Sequence, residues 1–123
     1  MKISASIYAY NNRMSLSEIV KTLDMLYIDS FHVDCNDDIS VFDDIKFIRS
    51  ISNTPIDLHI ITDNPAKYYD LIEKYKIEFV QFQYENLTSN NITFPRLENT
   101  KWGIGITNNT SYDVIENFEN VDF

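Results

Sequence analysis

From Ile3 to Ile7 apolar and small polar residues alternate, the period of two expected for a strand with one buried face. Asn11-Asn12 then supply turn chemistry. Behind Ser15 or Ser17, either of which can cap a helix, Leu16, Ile19, Val20, Leu23 and Leu26 recur at helical spacing. A second strand is predicted over Ser30 to Cys35, broken by Asn36-Asp37-Asp38. Val41, Ile45, Ile48 and Ile51 predict the next helix, ended by Asn53-Thr54-Pro55. A third strand, Ile56 to Ile61, leads to Asp63-Asn64-Pro65, where proline suits the first turn of a helix carrying Tyr68, Leu71, Ile72 and Tyr75.

The pattern continues with a strand over Phe79 to Gln83 and a polar connection from Glu85 to Asn99 that holds Pro95 and only weak helical periodicity. Gly103 to Thr107 predicts the fifth strand and Tyr112 to Phe118 a short helix. Val121-Asp122-Phe123 reads as the start of a sixth strand. Strand starts recur at roughly 22 to 27 residues with helices between them, which predicts parallel strands joined by right-handed crossovers.

One parity of these strands is apolar: Ile3, Ala5, Ile7, Phe31, Val33, Ile56, Leu58, Ile60, Val80, Phe82, Ile104 and Ile106. The other carries Ser4, Ser6, His32, Asp34, Asp57, His59, Gln81, Gln83, Gly103, Gly105 and Thr107. If helices cover the first set, the second converges on a polar interior near the strand C-termini. A (β/α) barrel has such a face and an open doubly wound sheet does not.

Composition narrows the function. A chain of 123 residues is one domain, and its net charge of −9 argues against nucleic acid or an anionic membrane as partner. No apolar run approaches the length of about 18 residues that a membrane span needs, and nothing resembles a signal peptide. With the lone Cys35 excluding an internal disulfide framework, a cytoplasmic location is expected. Two glycines are few for an enzyme that cradles a phosphate on backbone loops.

The chemistry lies on the polar parity. His32 and Asp34 share one face of the second strand, and Asp57 and His59 repeat the arrangement on the third. Imidazole and carboxylate side by side can hold a divalent cation or move a proton. Asp57 reads as a group that orients an imidazole rather than a ligand. Ser6 reads either as a site residue or as a small residue in a tapering interior, and Cys35 as a small outward-packing hydrophobe.

These stretches resemble the ribulose-phosphate 3-epimerases along the whole chain. Ile3-Ser4-Ala5-Ser6-Ile7 is similar to the first strand of that family, Phe31-His32-Val33-Asp34 with Asn36-Asp37 to its second, and Asp57-Leu58-His59-Ile60 with Asp63-Asn64-Pro65 to its third. Gln81-Phe82-Gln83-Tyr84-Glu85 and Gly103-Ile104-Gly105-Ile106 with Asn108 resemble strands four and five. The resemblance implies a (β/α)₈ TIM barrel of which residues 1–123 form the first five to six βα units. It also implies a metal-dependent proton transfer beside the ketone of a ketopentose phosphate, interconverting ribulose 5-phosphate and xylulose 5-phosphate.

By the same resemblance His32, Asp34 and His59 are expected to bind a divalent metal (Zn, Mn or Fe). Asp34 is expected to be an acid/base catalyst, and Ser6 and His59 to contact substrate. The family's fourth ligand and second carboxylate come from a seventh strand and its phosphate loops from strands seven and eight, beyond the strands recognised here. Asp38 replaces a family glycine, the loop after Asp37 is shorter, and Gln83 stands where a histidine is usual. These departures leave two further expectations: a non-catalytic partial barrel that pairs as a homo-oligomer, or an epimerase for a different ketose phosphate.

Overall fold

The computed structural model of the chain describes residues 1–89 and 92–123. Five strands pair in parallel in chain order: β1 (Ser4–Ser6), β2 (Ser30–Asn36), β3 (Ile56–Ile61), β4 (Phe79–Gln83) and, after an excursion, β6 (Lys101–Gly105). Between the first four lie α1 (Leu16–Met25), α2 (Val41–Ile51), and a 3₁₀ turn over Pro65–Tyr68 that runs into α3 (Tyr69–Lys74). Because the order never reverses, crossovers of one hand put every helix on the same face, which is the winding of a barrel rather than of a doubly wound sheet. The fold is thus α/β, consistent with part of a TIM barrel.

The helix-covered face is the core. Phe31, Val33, Cys35, Ile56, Leu58, Ile60, Val80 and Phe82 are fully buried there. Against them pack Ile19 and Val20 of α1, Phe42, Ile45 and Ile48 of α2, and Tyr68 and Ile72 of the third crossover. The opposite face carries His32, Asp34, Asp57, His59, Gln81 and Gln83, all half-buried. Its alternation is what aims the polar groups at one space.

Local chemistry fixes the helix ends. Ser15 Oγ accepts the Glu18 N–H at 3.2 Å and caps α1. Asp43 and Asp44 in the first turn of α2 and Arg49 in its last complement the helix dipole. Arg49 Nη2 also lies 2.7 Å from Glu78 Oε2, which accepts the Ile56 N–H at 2.9 Å, so one carboxylate fastens α2 to the start of β3. Asp38 accepts from both the N–H and the hydroxyl of Ser40 at the entry to α2.

Several boundaries differ from the sequence expectation. β1 is shorter than Ile3 to Ile7, and β6 starts two residues before Gly103 because Lys101 and Trp102 pair with Phe79 and Val80. Thr107 has left the ladder, and its N–H goes to Glu85 Oε1. Residues 112–118 do not form an α-helix: Tyr112–Asn117 is 3₁₀, after which β7 (Phe118–Glu119) pairs with β5 (Ile92–Thr93). Of this two-strand ladder, β5 lies in the connection read as polar and weakly helical, of which residues 90 and 91 fall outside the described residues. Val121 to Phe123 is not a regular strand, yet its backbone bonds to Trp102 and Ile104 along the free side of β6.

Among the described residues no helix is long and apolar enough to cross a membrane. At the N-terminal ends of the strands a hollow of about 550 Å³ is lined by Ser4, Asp57, Phe79, Lys101 and Phe123 among others. It touches Asp57 but neither Asp34 nor His59. The chemistry is at the other end.

Candidate functional site

Register brings the site together. Ser6 stands opposite His32, His32 opposite Asp57, and Asp34 opposite His59. His59 in turn faces Gln81 on β4, and Gln83 faces Gly105 on β6. Each of these residues lies on the inner parity, so neighbouring strands hold their side chains side by side.

The centre is Asp34 Oδ1. His32 Nε2 lies 3.1 Å from it and His59 Nδ1 3.4 Å, with the two imidazole centroids 5.9 Å apart. One ligand atom from each of His32, Asp34 and His59 lies within 4.8 Å of the others, close enough for a single cation to touch all three.

The outward nitrogens have partners of their own. His32 Nδ1 is 3.1 Å from Asp57 Oδ2, and Asp57 is held by the Ser4 hydroxyl at 2.9 Å and the Gln81 amide at 3.3 Å. His59 Nε2 is 2.9 Å from Gln83 Oε1. With an N–H of each ring given to an oxygen acceptor, the inward nitrogens of the neutral imidazoles present lone pairs toward Asp34. Three electron pairs converging on one spot repel unless a cation or a proton lies between them. The donor set therefore fits a divalent metal held by two imidazoles and a carboxylate.

Without a metal, protonation relieves the crowding. The hydrogen bond that Asp57 accepts from its ring raises the His32 pKa above the ordinary imidazole value; partial burial opposes this and Asp34 reinforces it. Burial pushes the Asp57 carboxyl up, but the bonds from His32, Ser4 and Gln81 outweigh it and leave its pKa lowered.

Ser6 is half-buried beside this cluster, and its Oγ accepts the Tyr8 N–H at 3.3 Å. Its own hydroxyl proton is then available to a bound oxygen. Asp57 does orient an imidazole, in keeping with the alternation of β3. Cys35 packs into the core, its Sγ bonded to the Asp38 carbonyl.

Gln83 lies on the inner face, as its strand parity with Gln81 predicts, but one participant escaped sequence reasoning. Glu85 read as part of a polar loop, yet its Oε2 accepts the Gln83 amide at 2.6 Å. Its Oε1 accepts the Thr107 N–H at 2.6 Å and the Thr110 hydroxyl at 2.7 Å. Burial raises the Glu85 pKa, but these donors outweigh it and hold it at about 2, so the group is a carboxylate in neutral solution.

The sequence profile of the family described as the ribulose-phosphate 3 epimerase family matches residues 2–123. No curated protein and no solved structure matches the chain significantly.

Proposed function

The chain belongs to the ribulose-phosphate 3-epimerase family, and from that membership we propose that it is a metal-dependent isomerase acting on the carbon beside the ketone of a ketopentose phosphate. In this reading His32 Nε2, Asp34 Oδ1 and His59 Nδ1 hold divalent zinc, manganese or iron. The ion, when bound, supplies Lewis-acid stabilisation for negative charge developing on the substrate oxygens. The observation that carries the reading is the convergence of two imidazole nitrogens on Asp34 Oδ1 while their far nitrogens are held by Asp57 and Gln83.

Asp34 does two jobs. Its Oδ1 faces the histidines, while its half-exposed carboxylate leaves Oδ2 to take the proton from one face of the substrate carbon, inversion then requiring a second acid to deliver a proton to the opposite face. Ser6 offers its hydroxyl to a substrate oxygen from β1. Asp57 keeps the His32 ring turned so that Nε2 faces inward.

The metal half of the proposal is tested by titrating the metal-stripped chain with Zn²⁺ and Mn²⁺ by calorimetry. One site is expected, lost in Asp34→Ala and His59→Ala. No binding, or binding that both variants retain, overturns it. The chemical half is tested by proton exchange into ribulose 5-phosphate and other ketose phosphates in D₂O. Exchange is the right assay because removing a proton needs one carboxylate at the centre, and Asp34 is the one within the cluster. Deuterium beside the ketone of one pentose phosphate is expected, and none in Asp34→Asn; no exchange with any ketose overturns it.

A further inference from the structure

We propose that Glu85 is a positioning residue that decides which nitrogen of His59 carries the proton, acting through the side-chain amide of Gln83. The relay starts at a backbone group. The Thr107 N–H can only donate, and it donates to Glu85 Oε1 at 2.6 Å. An ionised carboxylate can only accept, so the end of Gln83 lying 2.6 Å from Glu85 Oε2 has to be its NH₂. The amide oxygen is then left facing His59 Nε2 at 2.9 Å, and a carbonyl oxygen also only accepts. His59 must carry its proton on Nε2. Its Nδ1 lone pair is what remains for the space beside Asp34.

Each link fixes the sense of the next. The order runs from the loop after β6, through the end of β4, to the ring on β3. Gly105 makes room for the middle link: a Cβ there would lie 3.1 Å from Gln83 Oε1. The consequence for metal affinity rests on the metal reading above, whereas the tautomer itself does not.

The isosteric variant Glu85→Gln inverts the relay. Its amide oxygen stays on the Thr107 N–H, so its NH₂ faces Gln83, and two NH₂ groups cannot bond each other. Gln83 turns over, gives its NH₂ to His59 Nε2, and the ring proton moves to Nδ1, where it points at Asp34. Long-range ¹H–¹⁵N spectra of the metal-free protein, at a pH where His59 is neutral, are expected to show Nε2–H in the wild type and Nδ1–H in Glu85→Gln. The double variant Gln83→Glu/Glu85→Gln exchanges acid and amide at constant net charge and restores Nε2–H. Gln83→Leu removes the relay without touching the loop and leaves both tautomers populated.

Zinc affinity falls by roughly 10- to 100-fold in Glu85→Gln and recovers in the double variant. Retention of pure Nε2–H in Glu85→Gln or Gln83→Leu overturns the assignment, as does failure of the exchanged pair to restore it. If the tautomer inverts but no variant binds zinc, the metal reading fails and the positioning role stands.

Discussion

His32 and Asp57 face each other across β2 and β3, and the 3.1 Å contact between Nδ1 and Oδ2 makes the site sensitive to pH. The Asp57 bond is the largest contribution raising the His32 pKa, so the folded metal-free protein holds a proton that the unfolded chain releases earlier. The stability this provides is complete below the unfolded imidazole value of about 6.5 and is lost as pH rises through the higher folded value. Urea denaturation of the metal-free chain is expected to show stability declining across that window. In Asp57→Asn the decline shrinks. Metal affinity has the opposite slope, because ion and proton compete for Nε2; a wild-type stability flat above neutrality contradicts the assignment.

Gly105 is predicted to matter for space rather than backbone freedom, since no glycine in the described chain has a positive φ. In Gly105→Ala the new methyl lies 3.1 Å from Gln83 Oε1 and 3.7 Å from His59 Nε2, and Gln83 must move. We expect a folded protein with metal affinity reduced about tenfold, the low end of what losing an outer hydrogen-bond partner costs. Gly103→Ala gives a contrasting result. Its methyl meets the Phe123 ring, with Cδ2 at 2.7 Å, so it loosens the C-terminal segment and lowers stability while leaving metal titration unchanged.

How much of this was legible depended on how local the determinants are. β3 and α2 follow from their own periodicity, and His32, Asp34 and His59 share a face because strand parity is a local property. The small ladder of β5 and β7 has two residues per strand, too few to show any period. What holds it is distant: Phe94 stacks on Trp102 at 5.1 Å and on Phe118 at 6.2 Å, residues separated along the chain. Glu85 was illegible for the same reason, because its partners at Thr107 and Thr110 arrive only when the loop after β6 folds back.

That aromatic stack is expected to carry much of the stability of the fourth crossover. Phe94 is fully buried between Phe82, Trp102 and Phe118, and Trp102 Nε1–H donates to the Pro95 carbonyl at 2.8 Å. Truncation removes the ring and leaves a cavity among groups already fixed by stacking. Phe94→Ala should destabilise the protein by about 3–5 kcal/mol, read from the urea midpoint. A loss below about 1 kcal/mol would mean that the ladder collapses onto the gap or contributes little.

α3 ends with the Lys76 N–H bonded to the Glu73 carbonyl and the Ile77 N–H to the Ile72 carbonyl, the paired bonds of a Schellman motif. Such ends favour glycine at the left-handed position, yet Lys76 occupies it with φ of 50°. A side chain there costs roughly 1–2 kcal/mol, of which the greater freedom of unfolded glycine takes back a part. Lys76 is exposed, and its carbonyl, which accepts from Arg49 Nη2 at 3.1 Å, survives substitution. Lys76→Gly is therefore expected to stabilise the protein by roughly 0.5–1 kcal/mol, with the urea midpoint raised and its slope unchanged. A lower midpoint would show that the lysine side chain contributes more at this helix end than the backbone strain removes.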